Sequence, residues 1–303
     1  MKSRVIQTES STPISAGSTT SPKRAGPPEH TARGSKGLSG LIKRHPLVAF
    51  FVIAFALTWW SVPLGSFMAA GPLLAALIVI GIVDGRPGLR ELRSSMLRWR
   101  VGWRWYAAAL LIPLAVVVGA GALNVAFGAP SSVLSDLQLS SLAFMFGLRL
   151  VVPVFAPLGE EPGWRGYALP RLQAHHSPLT ATLILALVVT AWHVPLIFLA
   201  EEDLPPIFLV ATVAVTFFYT WLYNHTGASV FMTIVAHAAE GTITGALVGD
   251  DGFIGSHETR FAVLYTLGWC IVALALLVLD RPAWRSQPSP PDNVDAPVAQ
   301  PTV

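Results

Sequence analysis

Apolar and polar positions alternate in long blocks rather than within short repeats. Between residues 46 and 279 the apolar stretches run 46–66, 69–84, 105–127, 140–158, 178–199, 205–224, 228–248 and 261–279. Stretches near twenty residues with few charges read as membrane-spanning helices. Because the bilayer core offers no water to backbone N–H and C=O groups, each span must satisfy them internally. The pattern therefore predicts an all-α fold, a polytopic transmembrane bundle of about eight helices. The second stretch is short, with a boundary near Gly71-Pro72, and the fourth is expected to continue past residue 158.

The flanks read differently. Residues 1–44 are rich in Ser, Thr, Gly and Pro and carry basic residues. They hold too little apolar surface to offset the cost of ordering, so a disordered basic tail is expected. The stretch is too long and too polar for a signal peptide. Residues 281–303, with Pro and Asp, read as a second disordered tail. The predicted organisation is a tail over 1–44, a transmembrane helical domain over 45–280 and a tail over 281–303.

Composition agrees with the membrane reading. Only 12% of residues are charged and 53% are apolar, with a mean hydropathy of +0.57, whereas soluble domains carry about 25% charge. A single cysteine, Cys270, excludes a disulfide framework and a cysteine zinc cluster. Charge placement sharpens the topology. With the N-terminal tail inside, every Lys and Arg except Arg149 and Arg260 falls in that tail, in 86–104, at Arg165 and Arg171, or at Arg281 and Arg285. The opposite loops carry Asp136, Glu201, Glu202, Asp203, Asp250, Asp251 and Glu258. That asymmetry predicts a multi-pass protein of the cell membrane with both termini cytoplasmic. It also accounts for the basic pI without nucleic acid, which is not expected as a partner; the bilayer is. The basic stretch 86–104 reads first as topogenic charge, and second as a grip on anionic headgroups.

Within or beside the spans lie Arg149, Glu160, Glu161, Arg165, His193, His237 and Glu240. Ionisable groups there are costly, about 2.5–3.5 kcal/mol each on insertion scales, and are retained for chemistry, ion handling or helix association. Glu160-Glu161-Pro162-Gly163-Trp164-Arg165 is the densest such stretch. Glu161 and Arg165, four apart, share a helix face and can pair. Glu160 is turned by ~100° and is less committed to the arginine. Pro157 and Pro162 predict a broken or kinked backbone between them, with Glu160 near a new helix N-terminus. Gly159, Gly163 and Gly166 read as close helix packing, and Trp164 and Tyr167 as interfacial anchors. Two histidines on different helices add a base and potential metal ligands. Glu240, three residues after His237, is expected to pair with it. Arg149, about 16 Å before Glu160 along a straight helix, reads as a structural ion partner. Counted along straight spans, Glu160 is shallow, His237 mid-depth and His193 deeper. Their meeting requires a broken fourth span or a tilted fifth.

The order Glu160-Glu161-x-x-x-Arg165, a histidine on the next helix and another two helices later resembles the CPBP family of CAAX-processing and abortive-infection-like membrane proteases. The extended stretch Glu160 to Leu172 is similar to its bacterial members, and the resemblance covers about 140–250. It implies an intramembrane endopeptidase acting on a membrane-associated peptide or protein. Glu160 would activate water, the Glu161–Arg165 pair would fix the helix, and His193 and His237 would bind a metal or stabilise the oxyanion. A divalent metal such as zinc, held by His193 and His237 with Glu160, and a metal-free glutamate–histidine arrangement both fit the resemblance. The chain departs from the pattern at Val189, where the family has an aromatic, and at Gly241, where it has Asn. The second departure leaves open a non-catalytic immunity, scaffold or transport protein on the same fold.

Overall fold

A computed structural model describes residues 37–199, 205–248 and 252–285. All regular structure among these residues is helical. The expected tails over 1–36 and 286–303, and the acidic loop residues Glu201, Glu202, Asp203, Asp250 and Asp251, lie outside the described residues. Inside the segment read as a tail, α1 (Leu38–Arg44) is helical and buries Ile42. At the other end, α14 (Arg281–Arg285) buries Trp284.

The eight apolar stretches become α2 (Pro46–Trp59), α3 (Gly71–Val83), α5 (Trp103–Ala126), α7 (Leu139–Val151), α8 (Pro157–Gly163) with its continuation, α10 (Pro178–His193), α11 (Phe208–His225), α12 (Val230–Leu247) and α13 (Ser256–Leu279). The fourth stretch thus supplies both α7 and α8. Between α3 and α5 lies the polar α4 (Gly85–Met96), and α6 (Ser132–Ser135) is a single turn. Sequence signals set the ends. Proline opens α2 and α10 at positions where no intrahelical N–H is needed. Ser177 and Ser229 cap α10 and α12, their hydroxyls accepting from the N–H groups of Thr180 and Met232.

Five segments are long and apolar enough to cross a membrane: Pro46–Leu64, Trp103–Ala126, Pro178–Phe198, Val230–Leu247 and Ser256–Leu279. The outer faces are as apolar as the inner ones. On α13, Leu267, Ile271, Leu274 and Val278 recur at helical spacing and are all exposed, a face that lipid would cover favourably. The chain is a multi-pass membrane protein. Its central helix is α12, 61% buried against 22–33% for the other four segments. One core joins α2, α3, α10 and the Glu-Glu stretch; the other joins α5, α11, α12 and α13. The candidate site lies where these two cores meet.

The Glu-Glu stretch is where the chain departs from a straight span. After α7 the backbone makes a 3-10 turn over Pro153–Phe155, Ala156 adopts φ +76°, and α8 restarts with Pro157 in its first turn. The break therefore sits upstream of Pro157, not between Pro157 and Pro162 as the two prolines suggested; Pro162 is accommodated inside α8. The helix then widens into a π turn over Trp164–Ala168 and resumes as α9 (Leu169–Gln173). Such π turns reposition side chains and often mark functional sites.

Glycines let this broken helix lie against α3. A Cβ on Gly163 would stand 2.5 Å from the Pro72 carbonyl oxygen, and one on Gly159 would stand 2.3 Å from that of Pro153. Backbone cannot yield as a flexible side chain would. Gly163→Ala is expected to destabilise the fold by about 1–3 kcal/mol, read as a lower unfolding midpoint in denaturing detergent. An unchanged midpoint would show that α3 and α8 can separate at no cost. Trp164 and Tyr167 are fully buried between α2 and α10 rather than anchored at the interface. Trp164 packs edge-on to Phe50 and Trp192, at centroid distances of 5.6 Å in both cases.

Candidate active site

The two cores enclose a cavity of about 480 Å³. Its walls include Arg149 from α7, Glu160 from α8, His193 from α10, Tyr219 from α11 and His237 and Glu240 from α12. Glu160, His193 and His237 thus face one space, despite the depths expected from straight spans. The break at 152–156 and the early end of α10 account for this. His193 is the last residue of α10, because Pro195 follows and the chain tightens into a 3-10 turn over Val194–Phe198. Glu160 lies in the first turn of α8, 3% exposed, and within electrostatic reach of both histidines.

The two glutamates occupy different settings. Glu161 Oε1 accepts from Arg165 Nη1 at 3.0 Å and from His237 Nδ1 at 2.9 Å. Glu161 is fully buried and Arg165 is 2% exposed. One carboxylate therefore ties α8, the π turn and α12 together. Arg165 reaches Glu161 across four residues, as the spacing predicts. Its guanidinium also lies 4.9 Å from the ring centre of Tyr219, and that ring stacks on His237 at 5.3 Å. The order Arg165, Tyr219, His237 forms a small stack that fixes the imidazole plane.

His193 is fixed by other means. Its Nδ1–H donates to the Val189 carbonyl at 2.8 Å. Phe67 stacks on it at 6.2 Å and Trp192 meets it edge-on at 4.7 Å. Trp59 Nε1–H donates to the Trp192 carbonyl at 3.0 Å. With Nδ1 engaged in each ring, Nε2 is the nitrogen left to act on the cavity.

Two sequence expectations change. Glu240 does not pair with His237: it accepts from Tyr265 Oη at 2.5 Å and Thr244 Oγ1 at 2.9 Å. Helix geometry explains this, because residues three apart need not converge when a tyrosine on α13 is closer. Arg149 and Glu160 do not lie along one straight helix, because the chain breaks between α7 and α8, and both line the cavity. Arg149 donates through Nη1 to the Phe155 carbonyl at 3.3 Å. It also stands directly over Gly241, where a Cβ would meet Nη1 at 2.9 Å.

Tyr219, Tyr265, Phe67 and Trp192 were not singled out in the sequence. The tyrosines had a usable signal: a phenol inside a span needs a polar partner. The aromatic packing around His193 had none, since Phe67 is far from it in sequence. As to a metal, the donors are chemically suitable, but no group of three or more His, Cys, Asp or Glu capable of holding a metal ion is assembled among the described residues.

Comparison with known proteins meets this geometry over the same stretch. Residues 141–242 match the family model described as type II CAAX prenyl endopeptidase Rce1-like. A curated relative, CAAX prenyl protease 2 of Methanococcus maripaludis, is 29% identical over 142 residues. The match covers 42% of this chain and 51% of that protein, so the chain spans about half the length of the relative. The matched segment runs from α7 to the middle of α12 and contains Glu160, Glu161, Arg165, His193 and His237.

Proposed function

From a core, residues 141–242, that belongs to the Rce1-like CAAX endopeptidase family, we propose that this protein is an intramembrane endopeptidase. It hydrolyses a peptide bond of a membrane-associated peptide or protein. The observation that carries this reading is the single cavity shared by Glu160, His193 and His237, with Glu161 engaged elsewhere.

Glu160 is the general base. Its carboxylate takes a proton from a water molecule as the water oxygen bonds to the scissile carbonyl carbon. The carbonyl π pair moves to oxygen, giving a tetrahedral oxyanion. The protonated Glu160 then donates to the leaving nitrogen as the C–N bond breaks, which returns the carboxylate. His193 accepts from the water through its bare Nε2, and His237, as the imidazolium beside the Glu161 carboxylate, donates from Nε2–H to the oxyanion. Glu161 and Arg165 position: they hold His237 and the π turn and do not touch substrate. Where the family pattern has Asn, this chain has Gly241 with the Arg149 guanidinium above it. The Arg149 guanidinium thus occupies that wall of the cavity. Charge placement supports a cavity reached from the cytoplasmic side, with both termini on that side.

The test is hydrolysis by the full chain in liposomes, supplied with membrane-anchored peptides with and without a prenyl group, in oxygen-18 water. The expected product carries one labelled oxygen in its new C-terminal carboxyl group. His237→Ala is expected to lower the rate by about 10²–10³, the scale of losing one oxyanion donor. A folded wild-type chain that cleaves none of these peptides would instead favour the non-catalytic reading.

A further inference from the structure

Away from the cavity, four arginines converge on a second concave site that the proposed reaction does not use. After α4 the chain turns at Leu97 and runs without regular structure to α5. Arg90 and Arg93 from α4, with Arg98 and Arg100 from the turn, line a pocket of about 490 Å³ together with Leu97 and Trp99. Arg90, Arg93 and Arg100 are exposed. From 85 to 104 the sequence holds six arginines and one carboxylate, Glu91. The nearby Asp84 is engaged with Arg171 at 2.6 Å.

The pocket is built rather than a chance gathering of mobile side chains. Arg98 donates through Nη1 to the Gly227 carbonyl. The Ser229 hydroxyl donates to the Arg98 carbonyl at 2.6 Å, and the Tyr106 hydroxyl to the Trp99 carbonyl at 2.5 Å. The turn is thereby pinned to the loop before α12 on one side and to α5 on the other. α4 is seated by Leu92 and Ser95, both buried, so its arginines are held on the opposite, open side.

Topogenic charge needs only the right number of arginines on one side of the membrane, not a shared pocket. What surrounds the pocket indicates the ligand. Leu97, Trp99 and Trp103 are 58%, 55% and 82% exposed. Exposed tryptophans beside spanning helices sit at headgroup depth. A soluble anion gains nothing from such apolar neighbours, whereas a phosphate attached to acyl chains does. We propose that Arg90, Arg93, Arg98 and Arg100 form a headgroup site for an anionic phospholipid, with the guanidinium groups on its phosphate and the chains along Leu97, Trp99 and Trp103.

The experiment is native mass spectrometry of the full chain in uncharged detergent, titrated with phosphatidylglycerol or phosphatidylcholine. The wild type is expected to retain phosphatidylglycerol in preference to phosphatidylcholine. R90Q/R93Q should weaken phosphatidylglycerol binding about thirtyfold, the loss expected for two surface arginines. R90K/R93K should stay within a few-fold of wild type. R281Q/R285Q removes the same charge from exposed arginines elsewhere and should leave binding unchanged. Circular dichroism and the unfolding midpoint of each variant separate loss of the site from loss of the fold. Unchanged binding in a folded R90Q/R93Q overturns the proposal, as does an equal loss in R281Q/R285Q, which would indicate a diffuse surface field. Competition by millimolar inorganic phosphate as effective as the lipid would overturn the lipid assignment in favour of a soluble anion.

Discussion

Glu160→Gln is expected to lower peptide cleavage by about 10²–10⁴, the range for removal of a general base, while the chain keeps its helical content and unfolding midpoint. The substitution keeps the size of the side chain and removes only its ability to take a proton. Among the described residues no cation forms an ion pair with Glu160, in contrast to Glu161, so neutralising it strands no buried cation. The expected signature is a loss in kcat with little change in KM, because the carboxylate acts on water and not on the part of the substrate that sets affinity. Glu160→Asp retracts the carboxylate by one methylene and should recover part of the rate. Full cleavage by a folded Glu160→Gln protein would remove Glu160 from the mechanism. A fall in unfolding midpoint matching that of Glu161 substitutions would mean that Glu160 holds the fold instead.

Much of this architecture was legible in the sequence, for reasons that differ from element to element. The spans could be placed because lipid requires long apolar helices, and hydropathy blocks survive without any knowledge of neighbours. Glu161 and Arg165 meet because their spacing is a property of a single helix. The division of the two glutamates followed from the same local geometry. What failed was everything set by two segments at once. Pro157 and Pro162 both signal a disturbance, but the break settled at Ala156, where α8 must turn to bring Gly159 and Gly163 against the end of α3. Glu240 sits within a turn of His237, yet Tyr265 on another helix claims it. Trp164 and Tyr167 carry the composition of interfacial anchors, but Phe50 packs against both and Trp192 against Trp164. The depth of His193 could not be deduced from a straight span because both its own helix and that of Glu160 are interrupted. Local period and chemistry were readable; the partner chosen across helices was not.

Glu161→Leu is expected to have the largest effect on stability. It removes the carboxylate that accepts from both Arg165 and His237, leaving the Arg165 cation in a site only 2% exposed. Breaking a buried pair by removing one partner costs about 3–5 kcal/mol, because the remaining charge is uncompensated. The midpoint in denaturing detergent should fall sharply, and cleavage should fall with it. Glu161→Gln keeps an acceptor oxygen for His237 and should be milder on both counts. The double variant E161L/R165L separates the two roles of the carboxylate. Removing both charges should restore much of the lost stability, since apolar replacements of buried pairs are often neutral. Cleavage should remain low, because the His237 imidazole still lacks the oxygen that fixes its Nδ1–H and therefore its reacting face. If the double variant is as unstable as Glu161→Leu alone, the stranded arginine is not the source of the instability. If it is both stable and active, Glu161 does not position His237, and the link from the ion pair to the catalytic cavity is broken.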